Sequence, residues 1–329
     1  MRYRLFGRTG LRVSELVLGT MVIDDARECR RIIDAYADAG GNVLDTASAY
    51  GESESILGTV VDRRDRFVIG TKYTLSRDAA DPNASGNHRK NLALSLEQSL
   101  RRLRTDYIDI YWVHIWDRHT PVEETMRALD DAVRAGKILH VGVSDAPAWV
   151  VSRANTLAQW RDWTPFAGLQ VPYNLLKRDI ERELLPMAEA FGMSVTTWAP
   201  LAAGVLSGAV GRRVDPAALT ERDRAAADAV REVADELGVR PAQVAIAWTR
   251  SKSPAVLPIV GASSVAQIIE NVGAVDVVLP DEAIERLDSA VEFRLGFPGD
   301  FIAECETNPF VFGDNATKVD AWPVGRPEA

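Results

Sequence analysis

Asp45, Tyr50, Lys72 and His114 combine a carboxylate, a phenol, an ammonium and an imidazole within one third of a 329-residue chain. A phenol, with an ordinary pKa of about 10, is a poor acid or base near neutrality unless a cation stabilises its phenolate. Lys72 can supply that cation, Asp45 can hold the lysine charged and oriented, and His114 can donate a hydrogen bond to a bound carbonyl oxygen. Such a set protonates a carbonyl oxygen while hydride arrives at its carbon. No side chain donates hydride, so the four residues imply a nicotinamide cofactor.

Three of the four close apolar runs: Asp45 in "NVLDTA", Lys72 in "FVIGTKY" and His114 in "YIDIYWVH", with Tyr50 on the stretch after the first of these. The other runs are "ELVLGTM", "ILHVGVSD", "FAGLQVPYN", "SVTTWAPL" and "VLPIVGAS", eight in all. Segments with helical spacing alternate with them, such as "ARECRRIIDAYADAG" and "VEETMRALDDAVRAG", and several close in glycine as helix C-termini do. Near-continuous apolar strands are buried on both faces, so they belong to a parallel sheet. Eight of them, each followed by a helix, predict an α/β fold: a single (β/α)8 TIM barrel over residues 1–329.

"RYRLFG" and "LRVSEL", joined through "RTG", predict an N-terminal β-hairpin, while "PAQVAIAWTRS" and "PDEAIERLDSAVEF" exceed the alternation and are expected as two additional helices outside it. A doubly wound sheet would carry GxGxxG after its first strand, and the sequence has none.

In such a barrel chemistry gathers where strands end, so Asp45, Lys72 and His114 converge on one mouth and Tyr50 leans over them. Ser144 and Asp145 can meet a carboxamide, as can Gln170, and Trp198 offers an indole broad enough to stack on a planar ring. After the eighth run, "GASSVAQIIEN" places two serines and free backbone amides at a helix N-terminus, an anion site.

The net charge of -9 argues against a sequence-independent nucleic-acid binder. No run is long enough to cross a bilayer and "MRYRLFGRTG" has no apolar signal core, so a cytoplasmic location without membrane attachment is expected. Cys29 and Cys305 lack metal-ligand spacing and read as small apolar fillers, so no metal site and no disulfide are expected.

"LDTASAYGESESILG", "GTKY", "VHIWD", "VGVSD", "LQVPYN", "TWAPLAAGVLSG" and "GASSVAQIIENVGAV" together resemble the aldo-keto reductase superfamily, to about residue 293. The branch resembled is that of bacterial general-stress reductases and potassium-channel β subunits. The resemblance implies a tetrad of Asp45, Tyr50, Lys72 and His114, with Tyr50 as proton donor and NADPH extended across the mouth. It places Thr20, Met21, Ser144 and Gln170 toward the cofactor, with Trp198 stacked on the nicotinamide. Ala199, Pro200, Leu201, Gly204 and Leu206 would line the pyrophosphate loop, and Gly261, Ser263, Gln267, Glu270 and Asn271 the adenosine end.

Asp145 stands where the family usually has asparagine, and Ala209 where related chains often have lysine, leaving Arg212 or Arg213 to meet a phosphate. NADPH is the expected cofactor, with NADH the alternative, because Ser263 and Gln267 stand where a cation would favour the 2′-phosphate.

The substrate expected is a small carbonyl compound or alcohol, held by Tyr50, His114 and Trp116. A subunit that senses NADPH without turnover is the rival reading. Schiff-base chemistry at Lys72 is disfavoured by Asp45, and a glycosidase is disfavoured because only Asp45 and Asp145 are carboxylates at strand ends, without an evident glutamate partner. The tail, 294–329, carries five Phe and Trp side chains and is expected over the mouth, on the outside of the barrel or against another subunit; whether the chain is a monomer or a homo-oligomer stays open.

Overall fold

The computed structural model describes residues 1–208, 215–307 and 309–318. Strands β1 (Tyr3–Leu5) and β2 (Arg12–Ser14) pair antiparallel as the expected hairpin. Eight further strands form a closed parallel barrel: β3 (Val17–Gly19), β4 (Val43–Asp45), β5 (Val68–Tyr73), β6 (Ile108–Val113), β7 (Ile138–Ser144), β8 (Phe166–Pro172), β9 (Ser194–Trp198) and β10 (Val256–Gly261). Their order round the barrel follows the chain, and β10 closes it by pairing with β3. All eight apolar runs contain a barrel strand. Residues of β4, β5 and β6 are buried on both faces, which is why their sequences show no alternation.

The helices between them are α1 (Ala26–Asp38), α2 (Ser53–Val60), α3 (Arg89–Leu103), α4 (Val122–Arg134), α5 (Ala148–Arg161), α6 (Leu184–Ala190), α7 (Glu221–Leu237), α8 (Pro241–Ser251), α9 (Val265–Val272) and α10 (Asp281–Ser289). Local chemistry sets several ends. Asp25 caps α1 by accepting from the Glu28 backbone N–H; Thr220 and Asp223 make a reciprocal capping box on α7, which stops at Gly238 in the left-handed region.

One expectation about the surplus helices changes. The segment "PAQVAIAWTRS" forms α8, whose Val244, Ile246 and Trp248 are buried, and it packs on β10 and α9 as a member of the helical ring. The additions are instead α7, which packs on α8 and α10, and α10 itself. Both helices between β9 and β10 show helical periodicity, which cannot tell the layer that touches the sheet from the layer outside it; the nearly all-apolar face of α8 decides.

The tail forms α11 (Gly299–Thr307) and α12 (Pro309–Phe312), and Phe297, Phe301, Val311 and Phe312 are exposed there. Its start is fastened where Arg182 donates to the Arg294 carbonyl and lies over the Phe293 ring. Residues 319–329, with Trp322, lie outside the described residues. Among the described residues no helix is long and apolar enough to cross a membrane.

Candidate active site

Asp45 is the last residue of β4 and Lys72 the fifth of β5, and these strands are adjacent. Lys72 is fully buried. Its Nζ donates to Asp45 Oδ2 at 2.6 Å and to the Thr46 carbonyl at 2.7 Å. An ammonium so placed is tolerable only because the carboxylate and the carbonyl replace its hydration. Asp45 Oδ1 accepts from Gln170 Nε2 at 3.0 Å, so both carboxylate oxygens are engaged.

Tyr50 follows β4 on a turn held by bonds from its own N–H to the Ala47 carbonyl and from the Ser53 N–H to its carbonyl. Behind this turn, buried Glu54 accepts from Thr71 Oγ1, and Arg102 of α3 donates to both Glu54 and the Ser48 carbonyl. The phenol ring therefore sits 4.9 Å from Lys72 Nζ and 5.7 Å, edge to face, from the His114 ring. The four expected residues are together at one mouth.

Their protonation follows from burial and charge. Burial raises the Tyr50 hydroxyl pKa, and Lys72, which pulls it down, does not overcome that effect. The phenol thus stays protonated near neutrality, a donor in waiting rather than a ready phenolate. His114, just past β6, has its pKa lowered to about 4 by burial and by the Lys72 charge, so it faces the site as a neutral imidazole.

Beneath the tetrad lies a residue that the sequence reading passed over. Trp112 of β6 lies across the barrel interior in a slot made by glycines on three strands. A Cβ at Gly142 would fall 2.3 Å from its Cε3, one at Gly168 2.8 Å from its Cη2 and one at Gly70 2.9 Å from its Nε1. A small cavity in the barrel interior is lined by Trp112 and Asp45 together with Phe6, Val17, Ile110 and Leu257. The signal was present as a glycine within each of three strands, a mark of close approach by a bulky neighbour.

The opposite half of the mouth carries the expected cofactor groups. Ser144 and Gln170 end buried on β7 and β8, and Trp198, at the end of β9, is partly exposed. Asp145 has φ +45°, a left-handed conformation that aspartate and asparagine adopt more readily than most residues. Its carboxyl accepts weakly from Trp198 Nε1 at 3.4 Å; burial raises its pKa, opposed by that bond and by Lys72 and Lys177. Lys177 lies 5.6 Å from the centroid of the Trp198 ring. Trp116 is joined to this region by its N–H, 3.4 Å from the Asp145 carbonyl.

After β9, Ala199, Ala202 and Ala203 have positive φ, as does Gly204. Three alanines held there store strain of the kind found where a backbone is shaped for a ligand. The loop is closed by its own backbone: the Ala202 N–H donates to the Ala199 carbonyl at 3.0 Å and the Gly204 N–H to the Leu201 carbonyl at 2.9 Å. Pro200 and Leu206 are buried below this loop, so Leu206 offers a cofactor its backbone and not its side chain. Gly261 ends β10 in open space, Ser264 caps α9, and Gln267 accepts from the Ser263 N–H and hydroxyl. Asn271 donates to the Gly261 carbonyl, and Glu270 accepts from Gln243 through its carbonyl. These groups can hold a dinucleotide extended from Trp198 to α9.

Residues 15–292 match the Aldo/keto reductase family. The chain belongs to this family. It is an oxidoreductase on a barrel, of a family that works with nicotinamide cofactors and reduces carbonyl groups. This aldo-keto reductase is 36% identical to norsolorinic acid reductase A of Aspergillus parasiticus over 340 residues, covering 96% of the chain and 87% of the relative. It is 39% identical to a norsolorinic acid reductase of Emericella nidulans over 90% of the chain and 82% of the relative. It is 37% identical to an aryl-alcohol dehydrogenase [NADP(+)] of Phanerodontia chrysosporium over 88% of the chain and 85% of the relative. These relatives are fungal reductases and dehydrogenases, whereas the sequence reading looked to bacterial stress reductases and channel subunits.

The other expected contacts of this aldo-keto reductase are placed as follows. Thr20 is buried and bonds the Asp45 carbonyl through both N–H and Oγ1, at 3.0 Å each, so it ties β3 to the tetrad strand. Met21 is exposed beside it. Arg212, expected at a phosphate, falls outside the described residues together with Ala209 and Arg213. Cys29 is buried and its thiol is pushed up to about 12 by burial, which suits a packing role. Among the described residues no cluster of His, Cys, Asp and Glu is arranged to hold a metal ion.

Proposed function

We propose that this aldo-keto reductase reduces an aldehyde or ketone to the alcohol, reversibly, with NADPH as reductant and Tyr50 as proton donor. The observation that carries this reading is the Asp45–Lys72–Tyr50–His114 cluster, in which a buried ammonium, held by a carboxylate at 2.6 Å, faces a protonated phenol. When bound, the nicotinamide supplies the hydride that no side chain can give. The protein's own residues do the rest. Neutral His114 donates a hydrogen bond to the carbonyl oxygen and orients it toward Tyr50. As negative charge grows on that oxygen, Tyr50 transfers its proton, and Lys72 stabilises the phenolate left behind. Asp45 keeps Lys72 charged throughout.

Ser144, Asp145 and Gln170 would orient the carboxamide, Trp198 would carry the ring, the loop from Ala199 to Gly204 the pyrophosphate, and Ser263, Gln267 and Asn271 the adenosine end. Preference for NADPH over NADH is supported by a relative named for NADP(+). Kinship with the branch of stress reductases and channel β subunits rests on the shared motifs alone. A location in the cytoplasm, one functional domain over the whole chain and the absence of nucleic-acid partners remain part of this proposal.

Tyr50→Phe tests it. The substitution removes the proton donor and keeps the ring, so reduction across an aldehyde panel should fall by about 100-fold or more while NADPH binding, followed by fluorescence, is nearly unchanged. Wild-type turnover in this variant would overturn the assignment. Wild-type protein that binds NADPH and cycles none of the panel would instead be the sensing subunit.

A further inference from the structure

We infer that Trp116 and Trp149 form an outer aromatic subsite, which receives the ring of an aryl carbonyl substrate furthest from the reacting oxygen and favours fused-ring over single-ring substrates. The inference rests on the carbonyl reduction proposed above and adds a residue that no motif pointed to.

Trp149 lies in the first turn of α5, which follows β7 through the short loop that begins at Asp145, and therefore at the catalytic end of the barrel. It is 58% exposed. A single exposed tryptophan means little by itself. Its partner gives it meaning: the rings of Trp149 and Trp116 meet at 5.4 Å and 86°, an edge-to-face contact that fixes Trp149 without covering it.

Trp116 is itself anchored. Its N–H approaches the Asp145 carbonyl at 3.4 Å, and Arg118 lies 5.9 Å from its ring. It stands two residues beyond His114, the group that meets the carbonyl oxygen in the proposed reaction. Trp116 also borders the apolar space between β6, β7 and the helices α4 and α5, beside Val113, Val122, Val143 and Val150, so the indole pair stands at the rim of the catalytic end. A substrate with one aromatic ring reaches Trp116. A second fused ring extends toward the solvent-facing surface of Trp149, where stacking removes apolar area from water at little cost in ordering, since the tryptophan pair is already fixed.

The experiment compares 2-naphthaldehyde, benzaldehyde and hexanal in the full-length wild type, Trp149→Ala and Trp149→Phe, with NADPH saturating. For Trp149→Ala, KM for 2-naphthaldehyde should rise about fivefold to tenfold with kcat steady, while benzaldehyde and hexanal change by less than about twofold. Trp149→Phe should recover most of the loss. An unchanged KM for 2-naphthaldehyde, or an equal shift for all three substrates, overturns the subsite.

Should the wild type reduce none of the three, the proposed function fails by itself, and calorimetry with 2-naphthoate and benzoate decides the subsite separately. A preference for naphthoate that disappears in Trp149→Ala supports it. No preference, or one that survives, refutes it.

Discussion

Gln170 Nε2 donates to Asp45 Oδ1 across the barrel, from β8 to β4, strands that stand opposite one another in the closed order. The amide expected to meet the cofactor's carboxamide is therefore also the second partner of the tetrad carboxylate. The bond spans 125 positions of sequence and braces both walls at the level of the chemistry. Gln170→Leu should lose about 1.5–3 kcal/mol for a hydrogen bond to a charged group, seen as a lower denaturation midpoint. It should also weaken NADPH binding, because one side chain serves both partners. A midpoint and an affinity equal to wild type would remove Gln170 from both roles.

The direction of reaction should sort with pH. Burial holds the Tyr50 hydroxyl above its ordinary value of about 10, so the protonated form required for reduction persists below the raised pKa and is lost only as pH rises through it. Reductive kcat/KM should therefore show no Tyr50 limb below about pH 10, whereas alcohol oxidation, which needs the phenolate, should increase toward alkaline pH. His114, lowered to about 4, adds no limb in the neutral range. Measured pH profiles in both directions check this, and a reductive limb near neutrality that disappears in Tyr50→Phe would contradict it.

The same histidine couples stability to acid. Its folded pKa of about 4 lies below the ordinary 6.5, so its neutral burial favours the fold above 6.5. That contribution declines as pH falls from 6.5 toward 4, because the unfolded chain takes up the proton first. His114→Gln, which cannot charge, should show a weaker decline of the unfolding midpoint over this interval. Parallel wild-type and variant curves would sink the prediction.

Much of this was legible beforehand because apolar runs and their terminal residues lie in order along the chain. Asp45, Lys72 and His114 each close such a run, and consecutive strands of a barrel are neighbours, so sequence order gives spatial adjacency. Gln170 escaped as a partner of Asp45 because a contact across the barrel leaves no periodic trace. The ring position of α8 was misread because two helices follow β9, and periodicity reports a buried face without saying what covers it. The net effect on Tyr50 was also beyond the sequence: Lys72 was visible as a cation, but the burial that outweighs it is a property of the packed site.

Lys72 and Asp45 should fail separately and recover partly together. Lys72→Met leaves Asp45 buried with Gln170 as its remaining side-chain partner, and Asp45→Asn leaves a buried ammonium facing a neutral amide. Breaking a buried pair from one side costs about 3–5 kcal/mol, while replacing both charges costs far less. In a double-mutant cycle of urea unfolding the double variant should thus be more stable than the sum of the single losses indicates. All three variants should lose carbonyl reduction, since the phenol loses its charged neighbour in two of them and the lysine its anchor in the third. Additive losses of stability would show that the pair is not coupled as its 2.6 Å contact indicates.

The slot for Trp112 gives the sharpest steric test. Gly142→Ala would set a methyl group 2.3 Å from Cε3 of an indole already confined between β5, β7 and β8. The ring cannot retreat toward β5, because Gly70 lies against its Nε1, nor toward β8, where Gly168 and Phe6 crowd its far edge. Overpacking of this kind costs about 1–3 kcal/mol. Trp112→Phe beside Gly142→Ala restores room, so the pair should be more stable than Gly142→Ala alone. Because the indole also lines the interior cavity that Asp45 lines, Gly142→Ala should lower kcat as the indole shifts, and the second substitution should return part of it. Calorimetric unfolding and steady-state reduction measure both, and a double variant no better than the single one would mean that Trp112 does not occupy the slot.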